Sequence, residues 1–167
     1  MKFSCLLLVI GVSLAAFGQP DLSKQTVVAG CPFKVTITAN QPEIKLDKPI
    51  WIHIVLKSVS KEPFTIPETR QVGLGEMNYL ISVVDADGNA VPDTERGRRL
   101  RNHEATGGRS VTILELKDGN EITDDANLNN VVQIQTPGYY IVQVERSDAR
   151  YHDMHVKSNL LTIHVMP

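Results

Sequence analysis

Short stretches of alternating apolar and polar residues, separated by turn-forming clusters, run through this chain from Phe33 to Val165. A period of two is the signature of a strand with one buried face. Phe33 to Ala39 places Phe33, Val35 and Ile37 on one side. Pro49 precedes a longer run in which Ile50, Ile52, Ile54 and Leu56 share a face, with Trp51, His53 and Val55 on the other. Pro63 to Pro67 is a brief stretch around Phe64 and Ile66. Asn78 to Val84 predicts a strand closed by the turn from Asp85 to Asn89, where Asp87-Gly88 is a hairpin signal. Val111 to Leu116 follows, with Val111, Ile113 and Glu115 opposite Thr112, Leu114 and Leu116. The turn from Lys117 to Asn120 predicts a second hairpin. A short strand is expected over Val131 to Ile134. Tyr139 to Glu145 alternates with Tyr140, Val142 and Val144 inward, and Leu160 to Val165 closes the chain with Leu161, Ile163 and Val165 together. No helical period is sustained, and the best helical candidate is a turn within Asp124 to Asn130. Seven or eight short strands with little or no helix predict an all-β, antiparallel β-sandwich. Uneven spacing between the runs favours a sandwich over a barrel.

Before this rhythm begins, the pattern is different. Met1-Lys2 leads into an apolar run from Leu6 to Ile10 that continues through Val12, Leu14, Ala15 and Ala16, then stops at Ala16-Phe17-Gly18. A positive start, a short apolar stretch and a small-x-small ending read as a secretory signal peptide over 1–18. The run is too short for a permanent transmembrane helix. The expectation is therefore an exported protein, periplasmic or extracellular, with an N-terminal extension over 19–32 and a single domain over 33–167. No second long apolar run predicts a transmembrane segment after cleavage.

Composition adds bounds. Cleavage leaves roughly 150 residues, enough for one domain with a hydrophobic core. The net charge is −2, with 17 Lys+Arg against 19 Asp+Glu, and loss of Lys2 makes it more negative. That balance gives no reason to expect nucleic acid or an acidic membrane as partner. Of the two cysteines, Cys5 lies inside the signal, which leaves Cys31 without an intramolecular disulfide partner. Val28-Ala29-Gly30-Cys31 also has the form of a bacterial lipidation site. The polar segment from Gln19 to Thr26 separates it from the apolar run, so a lipid anchor at Cys31 is the less favoured reading.

Three segments resemble bacterial immunoglobulin-like domains. They are the alternating strand and Ser-rich turn of Pro49 to Ser60, the strand and Asp-Gly turn of Tyr79 to Val91, and Pro137-Gly-Tyr-Tyr-Ile-Val-Gln-Val144. The resemblance implies an immunoglobulin-like sandwich in which Tyr140 forms a tyrosine corner. Trp51, Gly88 and Gly138 are the other positions expected to be structural. Residues 50 to 145 also resemble, more weakly, the BsuPI-type proteinase-inhibitor domain. That family has Pro-Gly where this chain has Lys117-Asp118-Gly119.

The chemistry-bearing residues are sparse. His152-Asp153-x-His155 offers two imidazoles and a carboxylate, but strand geometry points 152 and 155 to opposite faces. Asp85, Asp87 and Asn89 offer oxygens without the spacing of a calcium loop, and a turn around Gly88 accounts for them. The same holds for Asp124, Asp125, Asn127, Asn129 and Asn130. No metal or cofactor site is expected. Nucleophile motifs and phosphate-binding glycine loops are absent from the sequence, so no catalytic residue is assigned and a non-enzyme is expected. The strongest concentration of one charge is Arg96, Arg98, Arg99, Arg101 and Arg109 with His103. It reads as a long loop able to contact a carboxylate-rich or phosphate-bearing partner. The resulting expectation is a monomeric, exported binding module for an unknown protein or envelope component, with a BsuPI-like proteinase inhibitor as the alternative.

Overall fold

The computed structural model describes residues 31–69, 75–102, 111–148 and 154–167. The expected signal peptide, its cleavage site and most of the N-terminal extension lie outside these residues, as do His103, Arg109, His152 and Asp153.

The described residues form an all-β sandwich of mainly antiparallel sheets with one helix. The first sheet has the order β1-β3-β7, with β1 at Phe33–Ala39, β3 at Trp51–Ser58 and β7 at Glu121–Asn127. The second has the order β2-β10-β8-β5. There β2 is Glu43–Lys45, β5 is Leu80–Asp85, β8 is Gly138–Asp148 and β10 is Leu161–Met166. A short β9, Met154–Lys157, pairs with the far end of β8. The third pair is β4 (Phe64–Thr69) with β6 (Val111–Leu116).

Alternation decides what is buried. Val35, Ile37, Ile52, Ile54 and Leu56 from the first sheet meet Val142, Val144, Ile163 and Val165 from the second, all fully or nearly fully buried. Their β-branched side chains suit a pleated, one-side-buried surface. Trp51, His53 and Val55, on the other face of β3, are half-buried. Tyr140 is buried, and its hydroxyl donates to the carbonyl of Thr136 at 2.7 Å. Gly138, just upstream, has φ +153°.

The strand count exceeds the seven or eight expected, and the additions have physical causes. β2 has three residues and pairs in parallel with β10, so no local pattern announces it. β7 occupies the stretch expected to hold a helical turn. Its Ile122 and Ala126 are buried while Thr123 and Asp125 are exposed. Only Leu128–Asn130 forms a 3-10 turn. Val131 to Ile134 is not a strand and contributes one isolated bridge, Asp93 to Val132.

The turn from Lys117 to Asn120 forms, with Gly119 at φ +77°, but does not make a hairpin. β6 pairs with β4, whereas β7 pairs with β3. Lys57 lies opposite Glu121 and Phe64 opposite Leu116. The two pairings therefore run on from each other around a break that both chains share. At the break, the Ser58 amide donates to the Asn120 carbonyl at 2.8 Å. The Asp85–Asn89 turn leads back to a single bridge, Val84 to Ala90.

The arginine-rich segment is the main correction. Residues expected to be loop form helix α1, Glu95–Arg101. Thr94 caps it, accepting from the Gly97 amide at 2.9 Å. Glu95 in the first turn and Arg98, Arg99 and Arg101 in the last suit the helix dipole.

Candidate functional site

Helix α1 is fixed at several points. Thr94 donates its hydroxyl to the Asn130 carbonyl at 2.6 Å. Gly97 is buried against the backbone of Val131, and a Cβ there would lie 1.9 Å from the Val131 carbonyl oxygen. Arg101 donates Nε and Nη2 to the two oxygens of Asp93, at 2.8 and 2.9 Å, and Nη2 also to the Ile81 carbonyl at 3.2 Å. Its guanidinium is held further in the charged form by this pairing, against a smaller opposing effect of burial. Arg96 reaches Glu76 at 3.2 Å. Glu76 is 0% exposed and also accepts from Asn130 Nδ2 at 3.1 Å. Arg98 and Arg99 are exposed, with Arg99 paired to Glu95 one turn earlier.

The expected contact set therefore divides. Arg96 and Arg101 anchor the helix, while Arg98 and Arg99 point outward. Position in sequence does not distinguish them, because the anchors Glu76 and Asp93 belong to other segments.

Beside the helix lies a buried polar network that the sequence reading missed. Glu68 on β4 is 1% exposed. It accepts from Asn78 Nδ2 and from Arg146 Nη2 on β8. Arg146 also donates to the carbonyls of Asn78 and Pro67 and sits 5.2 Å over the Tyr79 ring. Tyr79 donates to Asp124 Oδ2 on β7 at 3.0 Å. Burial raises the Asp124 carboxyl above its ordinary value, opposed by the Tyr79 hydrogen bond and the Arg146 charge. Burial and the nearby Asp124 charge raise the Tyr79 hydroxyl well above its ordinary range. The network ties both sheets and the β4–β6 pair together through hydrogen-bonded charges, the form in which buried ions are tolerated. Its sequence signals are Glu68, in phase with Phe64 and Ile66, and Arg146, in phase with Val142 and Val144.

Two depressions flank the β5–β8 pairing. One, of about 240 Å³, is lined by Pro67, Met77, Leu80, Leu100 and Val111, with Tyr79, Asn78 and Arg146 among its polar contributors. The other, of about 230 Å³, is lined by Ser82, Arg101, Gln143 and Lys157. Leu80 and Glu145 belong to both and are cross-strand partners.

The remaining candidates have local roles. Asp85 accepts from the amides of Asp87 and Asn89 at 3.0 and 2.8 Å, around Gly88 at φ +83°. These bonds lower its carboxyl, the Asn89 amide most. Asp125 pairs with His53 at 2.9 Å, and His155 with Glu145 at 2.6 Å. Asn127 caps the 3-10 turn, and Asn129 accepts from the Ile50 amide. Cys31 is half-buried against the core, and burial raises its thiol. No helix among the described residues is long and apolar enough to cross a membrane.

The fold defines the class of molecule as an all-β sandwich, and comparisons with known proteins narrow this little. No protein-family model and no curated protein sequence matches the chain. A solved structure of β-glucosidase from Listeria innocua in complex with isofagomine is similar at a TM-score of 0.41 and 14% identity. The match covers 80% of this chain and 16% of that one. The same enzyme in complex with glucose gives a TM-score of 0.39 and 13% identity, over 81% and 16%. This chain thus spans about a sixth of the length of these neighbours, and likeness at that level carries no function.

Proposed function

We propose that this chain is an exported, non-enzymatic binding module that engages a protein or envelope component through the face carrying α1. The observation that supports this reading is a rigidly mounted helix that presents Arg98 and Arg99 to solvent on a chain of net charge −2. A fixed mount leaves only side-chain freedom to be lost on binding, and arginines suit bidentate contact with carboxylates. In the network beside them, Arg146 donates to Glu68 and Tyr79 to Asp124, which fits a supporting rather than a reacting role. The proteinase-inhibitor alternative calls for an extended loop in a protease cleft, and within the arginine segment Glu95–Arg101 is helical.

The test begins with capture of a stoichiometric partner from the envelope of the exporting cell. Reversal of Arg98 and Arg99 to Glu is then expected to slow association several-fold at low salt, with a smaller difference as salt screens the contact. Thermal melting is expected to stay near wild type, because both side chains are exposed. Arg101 is excluded from the reversal because its bonds to Asp93 and Ile81 anchor the helix. Wild-type association by the double variant would overturn the reading.

A further inference from the structure

We propose that the outer edge of β6 pairs with the same edge of a second copy of this chain, joining two sandwiches through an antiparallel β6–β6 ladder centred on Ile113. This surface does not use the outward arginines of α1. It replaces the monomer expected from the sequence with a weak two-fold dimer.

Hydrogen-bonding phase fixes which groups the edge presents. Ile113 lies opposite Pro67 of β4. Proline has no N–H, and the Pro67 carbonyl accepts from Arg146. Pro67 and Ile113 are therefore a non-hydrogen-bonded pair, whose backbone groups turn away from one another. Val111, Ile113 and Glu115 share that phase and direct their N–H and C=O to the outer side of β6. Among the described residues, no backbone group meets them there. There is also room for a neighbour. Val111 is 55% exposed and Ile113 58%, and Thr112, on the strand's other face, is exposed too. Other edges are closed or charged. On β5, the Ile81 carbonyl accepts from Arg101 and the Val83 carbonyl from the Val91 amide. On β1, Asn159 holds both backbone groups of Ile37. On β7, Glu121 and Asp125 carry carboxylates. From Val111 to Leu116 there is neither proline nor lysine, two devices that keep strand edges apart.

The strand is complementary to itself, which selects a second copy as the occupant. A two-fold axis at Ile113 sets Ile113 against its counterpart, Thr112 against Leu114 and Val111 against Glu115. Directly opposite residues lie on one face of a sheet, so the exposed Val111 and Ile113 of both copies form one apolar cluster. The strand's single ionised side chain, Glu115, stands 3.9 Å from Lys117 of its own chain. In this register the two Glu115 residues are about 14 Å apart along the strands, beyond the screening length of roughly 8 Å at physiological salt. An axis at Glu115, or an in-register parallel pairing, would place them side by side. Each copy uses its edge once, so the assembly closes at two. Six residues a side is about a quarter of the 20–30 in a standard interface. Half-association is therefore expected at roughly 0.1–1 mM.

The test is sedimentation of the mature chain over a concentration series reaching about 1 mM, together with cysteine cross-linking. Reversible dimerisation is expected. Ile113→Lys sets two like charges at the axis and should weaken it about tenfold or more. The melting temperature of dilute protein should not change, because the side chain is exposed. Ile113→Cys places the two Cα atoms about 5.5 Å apart in an opposed hydrogen-bonded pair, within the span of a disulfide. Mild oxidation should link this variant. Glu115→Cys, with its counterpart about 14 Å away, should stay largely unlinked, and it also reports any linkage through the native Cys31. A wild-type chain that remains monomeric at about 1 mM would overturn the proposal and leave the edge to a strand of another protein. Undiminished dimerisation of Ile113→Lys, or equal cross-linking at 113 and 115, would overturn it as well and assign association to a different surface.

Discussion

Tyr140 and Asp124 both place an oxygen in or beside the core from a strand, and they bear on stability in different ways. Tyr140 buries its ring and places its hydroxyl on the Thr136 carbonyl at 2.7 Å. Tyr140→Phe should cost about 1 kcal/mol through that bond. Tyr140→Ala should cost roughly 3–5 kcal/mol through the cavity it leaves. Chemical denaturation of the two variants separates the hydroxyl from the ring, and wild-type stability in both would place Tyr140 outside the core. Asp124 is a carboxyl raised in the folded state, first by burial. A raised acid favours folding while it holds its proton, so its contribution is complete below the unfolded value and lost as pH rises through the folded one. Asp47, Asp85 and Glu121, exposed and lowered by their hydrogen bonds, act in the other direction and weaken the fold as pH falls. Asp124→Asn keeps an acceptor for Tyr79 and cannot ionise. It should therefore flatten the loss of melting temperature on the high-pH side of the ordinary carboxylate range while leaving the acid limb intact. An unchanged profile would mean that Asp124 stays ionised throughout.

At the level of elements, contacts distant in sequence govern what local pattern does not. Gly97 lies where a Cβ would meet the Val131 carbonyl oxygen at 1.9 Å. Gly97→Ala should force α1 away from that backbone and destabilise by roughly 1–3 kcal/mol, in the manner of overpacking. Hydrogen exchange should show faster exchange in α1 than in β3. Uniform exchange in the variant would mean that the helix tolerates the methyl group. Asn159 is a second such contact. Its side chain accepts from the Ile37 amide at 2.8 Å and donates to the Ile37 carbonyl at 3.0 Å, covering the open edge of β1. Asn159→Ala should cost about 1–2 kcal/mol, and an unaltered denaturation midpoint would show that water replaces both bonds. The same division explains what the sequence made legible. β1, β3, β8 and β10 each bury one face, so their alternation is written in Ile, Val and Leu. β7 escaped notice because Asp124 and Asp125 look like loop residues until Tyr79 and His53 are placed beside them. α1 escaped because Leu100 is its only large apolar residue and its helical form depends on Thr94, Asp93 and the distant Val131. The two depressions were invisible for the same reason, since their lining comes from β4, the 3-10 turn Gly75–Asn78, β5, α1, β6, β8 and β9.

For the whole molecule, the question is how the fold relates to the membrane it is expected to cross. Two readings of the N-terminus compete, cleavage after Gly18 and lipidation at Cys31. The fold bears on the choice physically. The Pro32 carbonyl accepts from the Val59 amide at 2.8 Å, and Phe33 is paired to Ser58 and stacked on Phe64 at 6.2 Å. The chain is therefore anchored immediately after Cys31, whose side chain packs against the core. A diacylglyceryl group on that sulfur would leave no spacer between bilayer and sandwich. It would also pull the side chain from its packed position, whereas cleavage after Gly18 leaves the packing untouched. The expected mature protein thus begins at Gln19 with a free thiol. Intact-mass measurement and N-terminal sequencing of material from the exporting cell check both points. A start at Cys31 with added acyl mass would make this a lipoprotein and place the Phe33–Phe64 end of the sandwich against the membrane.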